Sequence, residues 1–105
     1  MVIEWLQFRV SPLRREEFIQ ADGEIWTTKL ATYPGFLGKE VWLNPHEESE
    51  VTIVIRWETR QQWKAITREE LAPTSALFDQ RMGNSYQMID AGEYQVRKFP
   101  HSSGQ

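Results

Sequence analysis

"YPGFLGKEVWLNPHEESEVTIVIRW", residues 33–57, is the stretch whose reading decides the fold. Pro34-Gly35 suits the two central positions of a type II turn, with Gly35 supplying positive φ. A chain reversed there runs straight into a strand predicted over 36–43. Gly38 lies inside that strand and marks a bulge or a close backbone approach. A polar hairpin loop is predicted over 44–50, and residues 51–57 are the strongest strand in the chain. Ile53, Ile55 and Trp57 share one face of it, and Thr52, Val54 and Arg56 share the other. Neither face is plainly wet.

Upstream, residues 2–10 show the same two-sided character. Val2, Leu6, Phe8 and Val10 fall on one parity, with Glu4 as the exception, while Ile3 and Trp5 fall on the other. Ser11 at the N-cap and Pro12 at the first helical position start a helix. Apolar residues at three- and four-residue spacing, from Phe18 and Ile19 through Ile25, Trp26 and Leu30, predict that helix over 12–32. Asp22 and Lys29 break its stripe, and Gly23 weakens its middle by about 1 kcal/mol relative to Ala. It stops before Pro34, because proline disfavours the α region for Tyr33.

Downstream, Thr59–Gln62 and Thr67–Glu70 fit capping boxes. Trp63 and Ile66 lie between them on one helical face. Pro73 sits badly in a helix interior. The expectation is a short helix, an irregular segment over 67–72, and a second helix ending at Met82. Its buried face is read as Leu77, Phe78 and Met82, with Gly83 as the residue beyond its end. A last strand is predicted over 86–99, interrupted near Ala91-Gly92. Residues 1–99 then form one domain, and 100–105 a polar tail.

The order is β-α-β-β-α-β, an α+β, ferredoxin-like split βαβ pattern with a four-stranded antiparallel sheet and helices on one face. Strands apolar on both parities leave the second face in need of cover. The expected cover is a second copy joined through a two-fold axis, making a homodimer.

Bulk properties bound the function. A length of 105 residues fits one domain. Hydrophobic residues make up 40% and charged residues 26%, as in ordinary globular chains. Net charge is −3 with no basic stripe, which argues against nucleic acid as a partner. With no cysteine there is no disulfide, thiolate metal site or Cys nucleophile, and a reducing compartment is expected. No apolar run approaches the ~18 residues of a membrane span, and the N-terminus lacks a signal-peptide pattern. The chain is therefore read as cytoplasmic, with no membrane partner.

Pro34-Gly35-Phe36, Trp57-Glu58-Thr59 and Trp63 carry a resemblance. The chain resembles the antibiotic-biosynthesis-monooxygenase-like (ABM-like) domains of the dimeric α+β barrel superfamily. Within that group it is similar to small proteins best known from cyanobacteria. In such domains a Pro-Gly-Phe turn follows the first helix, a Trp-Glu-Ser/Thr step ends the third strand, and an aromatic residue follows. The resemblance implies sheet-to-sheet pairing across a dimer. It also implies a cofactor-free monooxygenase acting on a small aromatic or lipophilic molecule. The alternative is a non-catalytic dimeric module that binds a small ligand or a protein. Haem-degrading members use an Asn, a Trp and a His at positions that fall near Leu6, Ile66 and Ser75. None matches, which argues against haem. Quinone-forming members use an Asn and an Arg where Ile53 and about Leu77 stand, so only Trp57 and the aromatic at Trp63 carry over.

Five tryptophans are the main candidates. Core and interface packing is the commoner role for aromatics at such spacing. The functional reading is an aromatic ligand-binding pocket formed by Trp26, Trp57 and Trp63 between the helices and the sheet. His46 and His101 lack any spacing partner for a metal. Glu47, Glu48 and Glu50 read as a solvated hairpin tip. Arg56 and Gln7 are assigned to interface pairing, and Glu4, Arg9 and Glu40 to the same role or to a wet edge. No catalytic residue, metal ligand or cofactor site is assigned.

Overall fold

The computed structural model describes residues 1–98. The last residue of the predicted final strand, Phe99, and the predicted tail over 100–105 lie outside the described residues. Four strands form one antiparallel sheet: β1 (Val2–Val10), β2 (Phe36–Asn44), β3 (Glu47–Trp57) and β4 (Tyr86–Gln95). Their order across the sheet is β2-β3-β1-β4, the ferredoxin-like arrangement.

The first helical stretch begins with a 3₁₀ turn at Pro12–Arg14 and continues as α1 (Arg15–Ala21). A π-helical segment at Asp22–Thr27 leads on to α2 (Thr28–Leu30). Ser11 starts it with its backbone carbonyl, which accepts from Arg14 N at 2.8 Å, and not with its hydroxyl. The α ladder gives way where Gly23 stands. Two threonine hydroxyls there bond back five residues: Thr27 to the Asp22 carbonyl and Thr28 to the Gly23 carbonyl, each at 3.3 Å.

The turn at 33–36 forms as predicted. Phe36 N bonds to Tyr33 O at 3.4 Å, and Gly35 has φ 91°. Gly35 O accepts from Glu58 N at 2.7 Å, so the turn is tied to the end of β3. Phe36 pairs with Trp57, and their rings meet edge-on at 5.7 Å. Gly38 marks a bulge, where the β2 register skips Leu37. It is not a close approach, because a Cβ there would meet nothing within 4 Å.

Several expectations are corrected. The hairpin is tighter than predicted: only Pro45 and His46 separate the strands, and residues 47–50 already belong to β3. The break in β4 falls at Ile89, where the pairing with β1 skips a residue, while Ala91 and Gly92 pair in register with Leu6 and Trp5. After the short α3 (Arg60–Lys64), α4 runs unbroken over Arg68–Met82 with Pro73 inside it. A full capping box, Thr67 with Glu70, starts this helix earlier than proline alone suggested. Pro73 and Glu69, whose carbonyl loses its partner, both lie on the exposed side, where water can serve. Leu77 is 56% exposed, and the inward stripe is Leu71, Thr74, Phe78 and Met82. These recur at three- and four-residue spacing, which leaves position 77 turned away.

The core lies between the helices and one sheet face. Phe18, Leu30, Phe78 and Met82 pack against Phe8, Val10, Ile53, Ile55 and Trp57. Phe18 meets Phe8 at 5.3 Å and Phe78 at 5.4 Å between ring centroids. Val54 is equally buried but belongs to the other face, beside its cross-strand neighbours Trp5 and Glu40.

Candidate functional site

A cavity of about 780 Å³ opens between the helices and the sheet. That volume lies within the range of small-molecule sites. Trp26, Trp57 and Trp63 all line it. They are not equivalent. Trp57 has 0% of its surface exposed and is part of the wall's packing, whereas Trp26 and Trp63 are half-buried. The Lys64 ammonium sits over the Trp63 ring at 4.0 Å.

Four charged residues also line the cavity: Glu4, Asp22, Lys39 and Asp79. The sheet register explains two of them. Glu4 on β1 and Lys39 on β2 are both cross-strand partners of Ile55 on β3. Direct partners in adjacent strands point to the same face, so both side chains point toward the helices. Asp22 comes from the π-helical segment, four residues before Trp26. Lys39 Nζ donates to Asp22 Oδ1 at 2.7 Å, and each side chain of the pair is 5% exposed. Glu4 Oε1 accepts from the Trp57 indole N–H at 3.1 Å. Glu4 is thus neither an interface residue nor at a wet edge, because the register turns its parity inward.

The electrostatics follow from burial. Loss of water raises the Asp22 carboxyl above its ordinary value, against the pull of Lys39. The same loss lowers the Lys39 ammonium, against the pull of Asp22. Burial also raises the Glu4 carboxyl, and the Trp57 hydrogen bond and the nearby Lys64 and Lys39 offset this in part. Lys39 and Asp22 pair directly, whereas Glu4 makes no direct ion pair among the described residues and is countered only by the pull of Lys64 and Lys39. Across the cavity, Tyr86 donates to Asp79, and desolvation first, with that bond second, raises the tyrosine's pKa. Tyr86 is therefore a neutral phenol at neutral pH.

The sequence held a signal for each member of this cluster. Glu4 breaks the inward parity of β1, Asp22 breaks the helical stripe, and Lys39 shares parity with Val41. What it did not hold was their meeting, which depends on register and on the π-helical segment. The other assignments differ in outcome. Arg56 pairs with Glu40 at 3.4 Å within the chain, and His46 is exposed in the hairpin turn. Among the described residues, no group of three or more His, Asp or Glu side chains is placed to hold a metal.

Residues 1–72 match the family described as antibiotic biosynthesis monooxygenase. The chain belongs to that family. Solved structures agree on the fold. A cofactor-independent oxygenase of Streptomyces nogalater, SnoaB, superposes with TM-score 0.69 at 15% identity, covering 93% of this chain and 94% of that one. A candidate antibiotic biosynthesis monooxygenase of Deinococcus radiodurans gives TM-score 0.71 at 15% identity over 99% and 100% of the two chains. A conserved protein of Methanosarcina mazei gives 0.64 at 13% identity over 90% of each. No curated protein matches the sequence. In this ABM fold, Leu6, Ile53, Ile66 and Ser75 all line the cavity, although none has the residue type that the resemblance called for. Leu77 does not line it. No helix among the described residues is long and apolar enough to cross a membrane.

Proposed function

We propose that this ABM-family protein is a cofactor-free monooxygenase acting on a small aromatic or lipophilic molecule. The substrate lies in the 780 Å³ cavity against Trp26, Trp57 and Trp63. The observation that carries the reading is the composition of that cavity: an apolar container with a few convergent charged groups at its floor. A purely structural void has no use for a buried Lys-Asp pair, which is costly to desolvate. In the reaction, the deprotonated substrate supplies the electrons for dioxygen, and the protein supplies orientation and exclusion of water. The likeness to small proteins best known from cyanobacteria belongs to the same proposal, as does a cytoplasmic setting, which suits a chain without cysteine.

The homodimer is also a proposal. It rests on the sheet face opposite the helices, where Trp42 is 48% and Tyr94 60% exposed beside the half-buried Ile3 and Trp5. A second functional reading, a non-catalytic binding module, is favoured by one observation: Leu6 and Ile53 line the cavity where the resemblance calls for asparagines, and Ile66 where it calls for a tryptophan. Oxygen uptake with a panel of quinols and phenols separates the two. The enzyme reading expects consumption of dioxygen with quinone formation, lost in Trp63→Ala. Tight binding without oxygen consumption by any of the panel would favour the module.

A further inference from the structure

Glu4 and Lys39 flank Ile55 from opposite sides, two strand spacings apart. That separates their backbones by about 10 Å, a span that a fused or substituted aromatic ring can bridge. Ile55 gives the floor between them, and Trp26 and Trp63 stand on the helical side of the cavity. Glu4 Oε1 is held by the Trp57 indole. Among the described residues that are not exposed, Arg15 Nε is the only side-chain polar atom both sealed and without a hydrogen-bond partner. Glu4 Oε2 has no protein partner, so it faces space that solvent reaches, and Glu4 lines the cavity. Lys39 Nζ gives one of its three N–H groups to Asp22, which leaves donors for a ligand.

We propose that Glu4 removes the proton from a neutral phenolic substrate lying across Ile55, and that Lys39 holds a second oxygen conjugated with the ring, onto which the negative charge spreads. This deepens the oxygenase reading and rests on it. The O–H bond breaks, its electron pair stays on the substrate, and the proton moves to Glu4 Oε2. The electron-rich ring carbon then reduces dioxygen and joins it as a peroxide, which takes the proton from Glu4. As that carbon loses its hydrogen, the O–O bond breaks. One oxygen remains as a ring carbonyl and the other leaves as water. Dioxygen is the oxidant, and the substrate provides all the electrons. The desolvation that raises the Glu4 carboxyl suits it to this task. Lys64 and Lys39 are the charged groups that act on it, Asp22 is bound to Lys39, and Glu93 is its direct cross-strand partner on β4.

The test is binding of 4-nitrophenol and of its methyl ether, 4-nitroanisole, below the pH at which the phenol ionises in water. The native protein should bind the phenol in its phenolate form, visible by absorbance, and about tenfold more tightly than the ether. Glu4→Gln keeps an acceptor for the Trp57 indole. It should bind the ether unchanged but the phenol without the phenolate band. A band that persists in Glu4→Gln, equal affinity for phenol and ether in the native protein, or no binding of either would overturn the proposal. Should Glu4→Gln fail to bind the ether, the double variant Lys39→Met/Asp22→Asn decides, and its phenolate band should be lost. Oxygen uptake with 1,4-dihydroxynaphthalene separates the two levels of the account. A phenolate band without oxygen uptake sinks the oxygenase reading and leaves Glu4 as a phenol site. Uptake that survives Glu4→Gln sinks the role of Glu4 and leaves the oxygenase reading, because loss of a general base should cost about 10²–10⁴-fold in kcat.

Discussion

Along β3, alternate side chains meet two different surroundings. Ile53, Ile55 and Trp57 face the helices, and Thr52, Val54 and Arg56 face outward. Toward the helices the sheet is apolar at its centre but carries Glu4 and Lys39 on either side of Ile55, where little water reaches. On the outward face Trp42 and Tyr94 stand open to solvent with the half-buried Trp5, beside the Arg56–Glu40 pair and the polar residues Gln7, Arg9 and Thr52. Charge lies in the sheltered place and aromatic surface in the open one. Each is expensive unless something else completes it. In the function proposed above, a ligand completes the first face and a second copy of the chain completes the other.

The largest expected effect concerns the open face. Replacing both Trp42 and Tyr94 by Glu should convert a dimer to a monomer, since obligate interfaces commonly bury over about 2,000 Å². Sedimentation equilibrium at micromolar concentration checks this, and a native protein that already sediments as a monomer would remove the interface from the account. Next comes Trp57→Ala. With 0% exposure and a bond to Glu4, this residue should cost about 3–5 kcal/mol in denaturant unfolding. A much smaller cost would mean that Trp57 belongs to the cavity's free surface and not to its wall.

Most of one half of this comparison was legible in the sequence, and little of the other. Two-sided strands, the Pro34-Gly35 turn, the Thr67–Glu70 box and the element order all follow from local rules, so the fold and the open face were legible. The three tryptophans of the cavity were legible too. Glu4 and Lys39 were visible only as charges on apolar parities. Their meeting depends on a register that brings residues 4, 39 and 55 side by side, and no local pattern encodes it. The unbroken α4 was missed for a related reason: a strong cap outweighed one proline at an exposed position.

Gly35→Val sharpens the comparison at the end of β3. A Cβ at this position would stand 2.3 Å from Gln62 Oε1, and φ 91° suits glycine. The cost should be about 1–3 kcal/mol, seen as a lower denaturation midpoint. Weakened ligand binding should accompany it, because the turn is bonded to Glu58 beside Trp57.

The smallest effect is a pH dependence. The folded Glu4 carboxyl lies above its ordinary value of 4.5. Such a group favours the folded state below 4.5, and that contribution is lost as pH rises through the folded value. Glu4→Gln should therefore unfold at the same midpoint as the native protein in acid, and gain relative to it as pH rises toward neutrality. A gain that grows toward acid instead would place Glu4 in a stabilising ion pair.

The central claim is that the two faces do separate work, and equilibrium dialysis of 4-nitrophenol against four single variants tests it most directly. Trp26→Ala and Trp63→Ala should each weaken binding about tenfold, the equivalent of about 1.4 kcal/mol. Trp5→Ala and Trp42→Ala should leave the dissociation constant unchanged. Loss of binding in the second pair with retention in the first would contradict the assignment of the ligand to the helix-covered face.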